Sequence, residues 1–559
     1  MSTTDPADTA TVAKHDAGDR MPDTAAATST TPEATHPSGI PAETRRLLPW
    51  IIASLMLSML MSSLGQMIFS TALPTIVGEL GGVEHMSWVI TGFLLGQTIS
   101  LPIFGKLGDQ IGRKGLFIFA NALFVLGSLL GGFANSMAVL IVARVLQGIS
   151  GGGMMILSQA ITAEGTTPRE RGKYMGIMGS AFAVSSVLGP VLGGWFTDGP
   201  GWRWGLWLNV PLGLVSIAAI AFLLRLPERE RRLNLDWAGT ATMAIATAAL
   251  VLVTTWGGNE YEWSDPVIIG LIVTFVVVGA LFVFVELPAD APLVPMRLFA
   301  NRNFLLTTVA GFGIGVFMFG SLAYFPTYLQ MVHGLSPTAA GLMLIWMMVG
   351  VMGTSIAVGG LVSRTGNYKV FPIVGMFIVT AGLVLMSRLD RETSLTGVGL
   401  RIFVFGFGIG CAMQVLVLIV QNSFAVREVG TVTAANNFFR QIGGSVGAAL
   451  VGGLFVDKLK DLLAERIPEA MASMGQAGAA AGGQLQQIDS ARLTPDLVNS
   501  LPEPIMVAIE SSYNDALTPI FLLLAPIALI CGLILIGIRA DTLKETISLS
   551  LIHISEPTR

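Results

Sequence analysis

Fourteen stretches of the sequence each run long enough, with almost no charge, to cross a bilayer as a helix of about 20 residues. They lie near 50–77, 86–105, 115–135, 137–161, 174–196, 204–224, 237–257, 266–286, 303–331, 338–362, 370–387, 398–420, 431–455 and 516–538. No soluble core hides so much apolar surface. Charged residues make up 12% of the 559-residue chain, against about 25% in ordinary globular domains. The chain is therefore expected to be an all-α polytopic membrane protein. Gly and Pro inside the stretches do not argue against helices, because neighbouring helices satisfy the freed backbone groups.

Lys and Arg sort the loops into two sides, and the basic side is expected to be cytoplasmic. Arg45 and Arg46 precede the first stretch, Lys106, Arg113 and Lys114 follow the second, and Arg169, Arg171 and Lys173 follow the fourth. Arg225, Arg229, Arg231 and Arg232 follow the sixth, Arg297 and Arg302 the eighth, Arg364 and Lys369 the tenth, and Arg427 the twelfth. Loops on the other side are short and mostly acidic, as at Glu79–Glu84 and Glu260–Asp265. An even count of crossings then puts both termini in the cytoplasm. The exception is a long outer loop, 457–515, whose opening DKLKDLLAERI is amphipathic, suited to the outer interface or to a solvated helix. Residues 1–46, rich in Ala, Thr, Pro and Asp, cannot bury enough apolar surface to order and read as a disordered cytoplasmic tail. Residues 539–559 read as a second cytoplasmic tail, and 548–559, SLSLIHISEPTR, resembles translated sequencing-adapter sequence, a candidate non-native end.

The chain repeats itself. Gly105, Leu107 and Gly112 recur as Gly359, Leu361 and Gly366; Arg144, Gly151 and Gly153 as Arg401, Gly408 and Gly410; Arg169, Glu170 and Gly172 as Arg427, Glu428 and Gly430. The offsets are 254, 257 and 258 residues, in order along the chain. The repeat extends to two six-helix halves, 47–224 and 303–538, with an inserted pair of helices at 237–286 between them. Parallel halves of this kind hold substrate near the midplane of certain transporters.

The motifs narrow the class. Gly105-Lys-Leu-Gly-Asp109-Gln-Ile-Gly112-Arg113-Lys114 can make a tight basic turn whose Asp109 pairs with a positive helix end or an arginine of the other half. It resembles the signature loop of the major facilitator superfamily, where it acts as a gate. Gly189-Pro190-Val-Leu-Gly193-Gly194 lets backbones approach closely and resembles that family's antiporter motif, which marks exporters exchanging cargo for protons. Its second copy keeps Gly447 and Gly452 but has Ala448 in place of the proline. Arg144, inside the fourth stretch, needs an interior partner, since a central charge costs roughly 2.5–3.5 kcal/mol on insertion scales. It resembles the family's arginine implicated in proton transfer, although an arginine cannot itself carry the proton. Trp202-Arg203-Trp204 and Trp207-Leu-Asn209-Val-Pro211-Leu-Gly213 resemble the fourteen-helix drug:proton antiporter branch, and the resemblance spans about residues 45–540.

The first helix departs from that branch. Gly65 stands where the family usually has an intramembrane Asp, a common candidate for proton exchange. Glu164 resembles a frequently acidic family position and is the leading proton site beside Arg144; Glu286 is a weaker one. With so few acids, neutral, zwitterionic or anionic cargo suits the chain better than dications. A proton brings roughly 1.4 kcal/mol per pH unit and 2.3 kcal/mol per 100 mV, and cation export cancels the second contribution. Polar and aromatic side chains inside the stretches are the expected cargo path: Gln66, Gln97, Asn209, Gln414, Asn436, Asn437 and Gln441, with Phe317, Phe319, Tyr324 and Tyr328. Arg440 favours an anionic feature in the cargo.

The expected function is proton-coupled export of amphipathic small molecules from a plasma membrane, by a monomer driven by the proton motive force without a cofactor. A dedicated exporter of one metabolite, antibiotic or lipid is the alternative. A membrane enzyme is disfavoured because His15, His36, His85, His333 and His553 lie in tails and loops. Cys411 and Cys531 sit in apolar runs without metal-ligand spacing, so no metal is expected. The net charge of −4 gives no reason to expect nucleic acid.

Overall fold

The computed structural model describes residues 42–81, 85–225, 234–258, 260–474, 498, 501–540 and 543. The tails expected at 1–41 and 544–559, Arg229 to Arg232, and 475–497 of the long outer loop lie outside the described residues. The helices are α1 (Ala42–Leu80), α2 (Met86–Ile111), α3 (Arg113–Gly132), α4 (Met137–Gly165), α5 (Pro168–Asp198), α6 (Trp204–Trp207), α7 (Asn209–Leu223), α8 (Trp237–Trp256) and α9 (Pro266–Glu286). They continue with α10 (Arg302–His333), α11 (Pro337–Met343), α12 (Ile345–Thr365), α13 (Val370–Met386), α14 (Leu395–Asn422), α15 (Val429–Ser473) and α16 (Glu503–Ile536). The sixth and tenth expected crossings are each made of two helices, α6–α7 and α11–α12, joined at Leu208 and Leu344. Among the described residues thirteen helices are long and apolar enough to span, and the shorter α13 completes the series.

Local chemistry sets the starts and stops. Thr167 and Glu170 form a capping box ahead of Pro168 at the start of α5, and Ser136, Asp236, Asp265, Asn301, Ser336 and Ser394 each accept a backbone N–H at the start of their helices. Gly334 and Gly366 end α10 and α12 in the left-handed conformation, φ 62° and 72°.

Helices α1–α7 pack as one half and α10–α16 as the other. Two seams join them: α2 against α15, and α5 against α12. The inserted α8 and α9 pack on each other, and α8 lies against both α2 and α15, so it covers one seam. The short basic loops share one face with the start of α1 and the end of α16; we call it the basic face.

Two expectations change. Helix α1 begins at Ala42, so the end of the expected tail is helical. The segment 457–515 is not all loop: α15 runs on to Ser473 and α16 starts at Glu503. DKLKDLLAERI is part of a long helix. It continues α15 and buries Leu459, Leu462 and Leu463 in the cluster that holds Ile505 and Ile509 of α16, with an Arg466–Asp515 ion pair at 2.6 Å. An amphipathic stripe that finds an apolar partner helix has no need of lipid.

Candidate functional site

At the basic face the halves are locked. Asp109, in the last turn of α2, accepts hydrogen bonds from the backbone N–H groups of Gly430 (3.1 Å) and Thr431 (2.7 Å) and from the Thr431 hydroxyl (2.9 Å). A carboxylate at a helix N-terminus meets both the free N–H groups and the positive end of the helix dipole. Arg113, fully buried, ties this carboxylate to Glu164, with both ion pairs at 2.8 Å, and donates to the carbonyl of Val426 at 2.9 Å. Gly112 makes the turn with φ 94°, and Lys114 donates to Ala221 of α7 at 2.8 Å. At the other seam Arg169 donates to the carbonyls of Ser363 (2.8 Å) and Arg364 (2.6 Å) in the last turn of α12. Glycine lets the backbones touch at both: a Cβ on Gly105 would stand 2.7 Å from the Gly430 oxygen, and one on Gly359 would stand 3.2 Å from the Gly176 Cα.

At the opposite face the halves part. A cavity of about 880 Å³ lies between them. Its rim carries Thr75, Thr197, Gln330 and Thr338, all near the helix ends of that face, and its floor Gln66, Phe182, Phe319 and Gln441. Beneath it a pocket of about 70 Å³ is lined by Gln66, Gln97, Gln159, Gln414, Arg440, Gln441 and several methionines. Arg440 donates to the Asn437 side-chain oxygen, and Asn437 donates across the seam to Gln159 of α4 at 2.9 Å. The molecule is closed on the basic face and open on the other.

The structure brings Gln66, Gln97, Gln414, Arg440, Gln441 and Phe319 to the cavities and leaves other expected residues outside them. Asn209 is buried at the start of α7, 3.4 Å from the carbonyl of Gly205. Asn436 donates to Thr308 of α10 at 3.3 Å, Phe317 packs edge-on against Phe405, Tyr324 packs against Phe455, and Tyr328 donates to Asn514 at 3.1 Å. Each has found a partner in a neighbouring helix. Gln159, Phe182, Ser186 and Gln330 line the space and were missed. Gln159 was findable as a polar residue deep in an apolar stretch.

Arg144 and Glu164 are not together. Arg144 is buried, stacked between the rings of Phe69 (4.3 Å) and Phe93 (4.4 Å), and donates to Gln147 (2.9 Å) and to the backbone carbonyls of Gly65 (3.0 Å) and Val89 (3.3 Å). The carbonyl of Gly65 thus meets the guanidinium at the residue where an Asp was expected. Glu164 belongs to the locked face. Glu286 accepts the N–H groups of Leu293 (3.0 Å) and Val294 (3.1 Å), holding the chain after α9. In the motif of α5, a Cβ on Gly189 would strike Met67 of α1, whereas Gly194 borders the cavity and Gly193 accepts from Thr197 at 2.6 Å. Helix α5 continues through Pro190 without a break.

Comparison with known proteins agrees with this architecture. The Major Facilitator Superfamily matches residues 55–448. An uncharacterized MFS-type transporter of Mycobacterium tuberculosis is 37% identical over 495 residues, 89% of this chain and 70% of the relative. The multidrug transporter protein MdtP of Bacillus subtilis is 33% identical over 483 residues, 84% of this chain and 89% of the relative. The solved structure of the human organic anion transporter MFSD10 shares the fold at a TM-score of 0.55 and 16% identity, over 89% of this chain and 100% of that one. With two six-helix halves around a central cavity and the family matching most of its length, the chain belongs to the Major Facilitator Superfamily of membrane transporters.

Proposed function

We propose that this chain is a proton-driven exporter that moves amphipathic small molecules out of the cell by alternating access. In this reading the basic face is cytoplasmic in a plasma membrane, both chain ends lie there, a monomer suffices, cargo crosses chemically unchanged, and no cofactor takes part. One observation carries it: a cavity of drug size, about 880 Å³, opens opposite the basic loops while the basic face is sealed. That is the form in which an exporter releases cargo. The name of the Bacillus subtilis relative, a multidrug transporter, points the same way.

Gly105, Asp109, Gly112, Arg113 and Lys114 form the gate, and Gln66, Gln97, Gln414 and Arg440 meet cargo. Asp109 and Glu164 share Arg113, so a proton on either carboxylate removes an ion pair from the guanidinium that reaches across the seam to the Val426 carbonyl. Arg144 acts as a positioning residue that holds α1 through the Gly65 carbonyl. Gly189, Pro190, Gly193 and Gly194 shape α5 beside α1 and the cavity.

The test is transport in proteoliposomes under an imposed pH gradient, with and without voltage, for the wild type, Glu164→Gln and Arg144→Ala. Export should follow the gradient in the wild type. Glu164→Gln should uncouple it, and Arg144→Ala should slow it without changing the stoichiometry. Export that persists unchanged when both gradient and voltage are collapsed would refute proton coupling.

A further inference from the structure

Among the described residues, no charged group lines the main cavity and one lines the pocket beneath it. Among the described residues lining the two, Arg440 is the one ionised group. Its side chain is buried, 6% exposed, and among the described residues it makes no ion pair; its hydrogen-bond acceptor is the neutral side-chain oxygen of Asn437. A guanidinium presents five N–H donors in one plane, so most of them remain for whatever fills the pocket. A buried cation without a counter-charge is unfavourable, and a carboxylate or sulfonate that binds two of those donors removes the penalty. The other polar neighbours are five glutamine amides and the hydroxyls of Ser62 and Ser63, which carry no charge and can each turn a donor toward an anion.

Arg144 shows what a structural arginine looks like in this chain. It is as deeply buried, but aromatic rings cover both of its faces, backbone carbonyls take its hydrogens, and it borders neither cavity.

We propose that the small pocket is an anion subsite, in which Arg440 binds the carboxylate or sulfonate head of an amphipathic monoanion whose apolar body fills the larger cavity against Phe182, Phe319 and Met348. Compact space, about 70 Å³, lies below and drug-sized space above, which sets the orientation head down. A cationic head in the same place meets a like charge in a medium of low dielectric constant. The direction of transport rests on the export reading; the binding does not.

The experiment uses the full-length protein in nanodiscs and two dyes with one apolar skeleton, the anion anilinonaphthalene sulfonate and the neutral phenylnaphthylamine. Each is titrated against the wild type, Arg440→Gln and Arg440→Lys, and both are then followed in proteoliposomes. Arg440→Gln should weaken the sulfonate dye about tenfold more than the neutral one, the least expected for a lost charge-assisted hydrogen bond. Arg440→Lys should recover part of that loss. It also serves if Arg440→Gln does not fold, because loss of the planar fork should still weaken the sulfonate dye about threefold more. Equal weakening of both dyes, or none, overturns the anion subsite. Arg440-dependent binding with neither dye transported leaves the subsite standing and removes the export reading; transport of both dyes without an Arg440-dependent difference does the reverse.

Discussion

At the α2–α15 seam a carboxylate, Asp109, sits on the first N–H groups of α15; at the α5–α12 seam a guanidinium, Arg169, sits on the last carbonyls of α12. The two seams are related by the internal repeat, and the counterpart of Asp109 in the second copy is Ser363. Where the acid is missing, the closing charge comes from the other partner helix and has the opposite sign, as the opposite end of the helix dipole requires. The glycine contacts are common to both seams, Gly105 with Gly430 and Gly359 with Gly172 and Gly176. Close backbone packing is therefore the shared part of the lock, and the ionic part differs. The Asp109 bonds are part-buried and the carboxylate is bound to a buried Arg113, while one of the two Arg169 bonds, to the Arg364 carbonyl, is exposed. The α2–α15 clasp should be the stronger.

The largest effect should come from the shared part. Gly105→Val and Gly359→Val force a side chain into backbone, and overpacking of this kind costs about 1–3 kcal/mol, roughly fivefold to 150-fold in the closed-to-open ratio. A cysteine placed at Met155 in the deep pocket, with Cys411 and Cys531 replaced by Ala, reports the change. A membrane-impermeant maleimide added at the basic face should label it faster in both variants and to a similar degree. Next comes Asp109→Asn, which removes a charge from a partly buried helix end and from Arg113, worth about 2 kcal/mol or thirtyfold in the same labelling rate. Arg169→Gln should change it less, by about 0.5–1 kcal/mol or two- to fivefold, because its bonds lie nearer water. A larger effect from Arg169→Gln than from Asp109→Asn would erase the asymmetry, and labelling unaffected by either glycine variant would show that the backbones separate elsewhere.

Much of this was legible in the sequence because it is written locally. Apolar runs of spanning length set the helix count, and the recurrence of Gly105 and Gly112 as Gly359 and Gly366 exposed the two halves. What a polar residue inside a helix does is not written locally. Asn436 and Gln441 lie on one helix five residues apart, yet one bonds Thr308 and the other lines the cavity. The choice depends on how the helix is rotated against its neighbours. Arg144 shows the same limit more sharply, since two of its partners are backbone carbonyls and no side-chain pattern encodes those. The join of α15 to α16 was missed because an amphipathic stripe looks the same whether lipid or another helix covers it.

The smallest effect expected lies outside both seams. Glu79, at the end of α1 on the open face, pairs with Arg203 at 2.5 Å and accepts from the Trp202 indole at 2.7 Å, all within one half. The Arg203 hydrogen bond first, and the Trp202 one second, hold its carboxyl below the ordinary value, against a smaller opposing effect of burial. A lowered carboxylate stabilises the folded state above its unfolded pKa, about 4.3, and that contribution is lost as pH falls through the folded value. Glu79→Gln should therefore lower the thermal midpoint slightly at neutral pH, and the gap to the wild type should close in acid. The pair is half-exposed, so the gap is small. Labelling at position 155 from the basic face should not change, because no contact between the halves is touched. If Glu79→Gln altered that labelling as much as Arg169→Gln, the lock would extend beyond the two seams, through α1 to the open face.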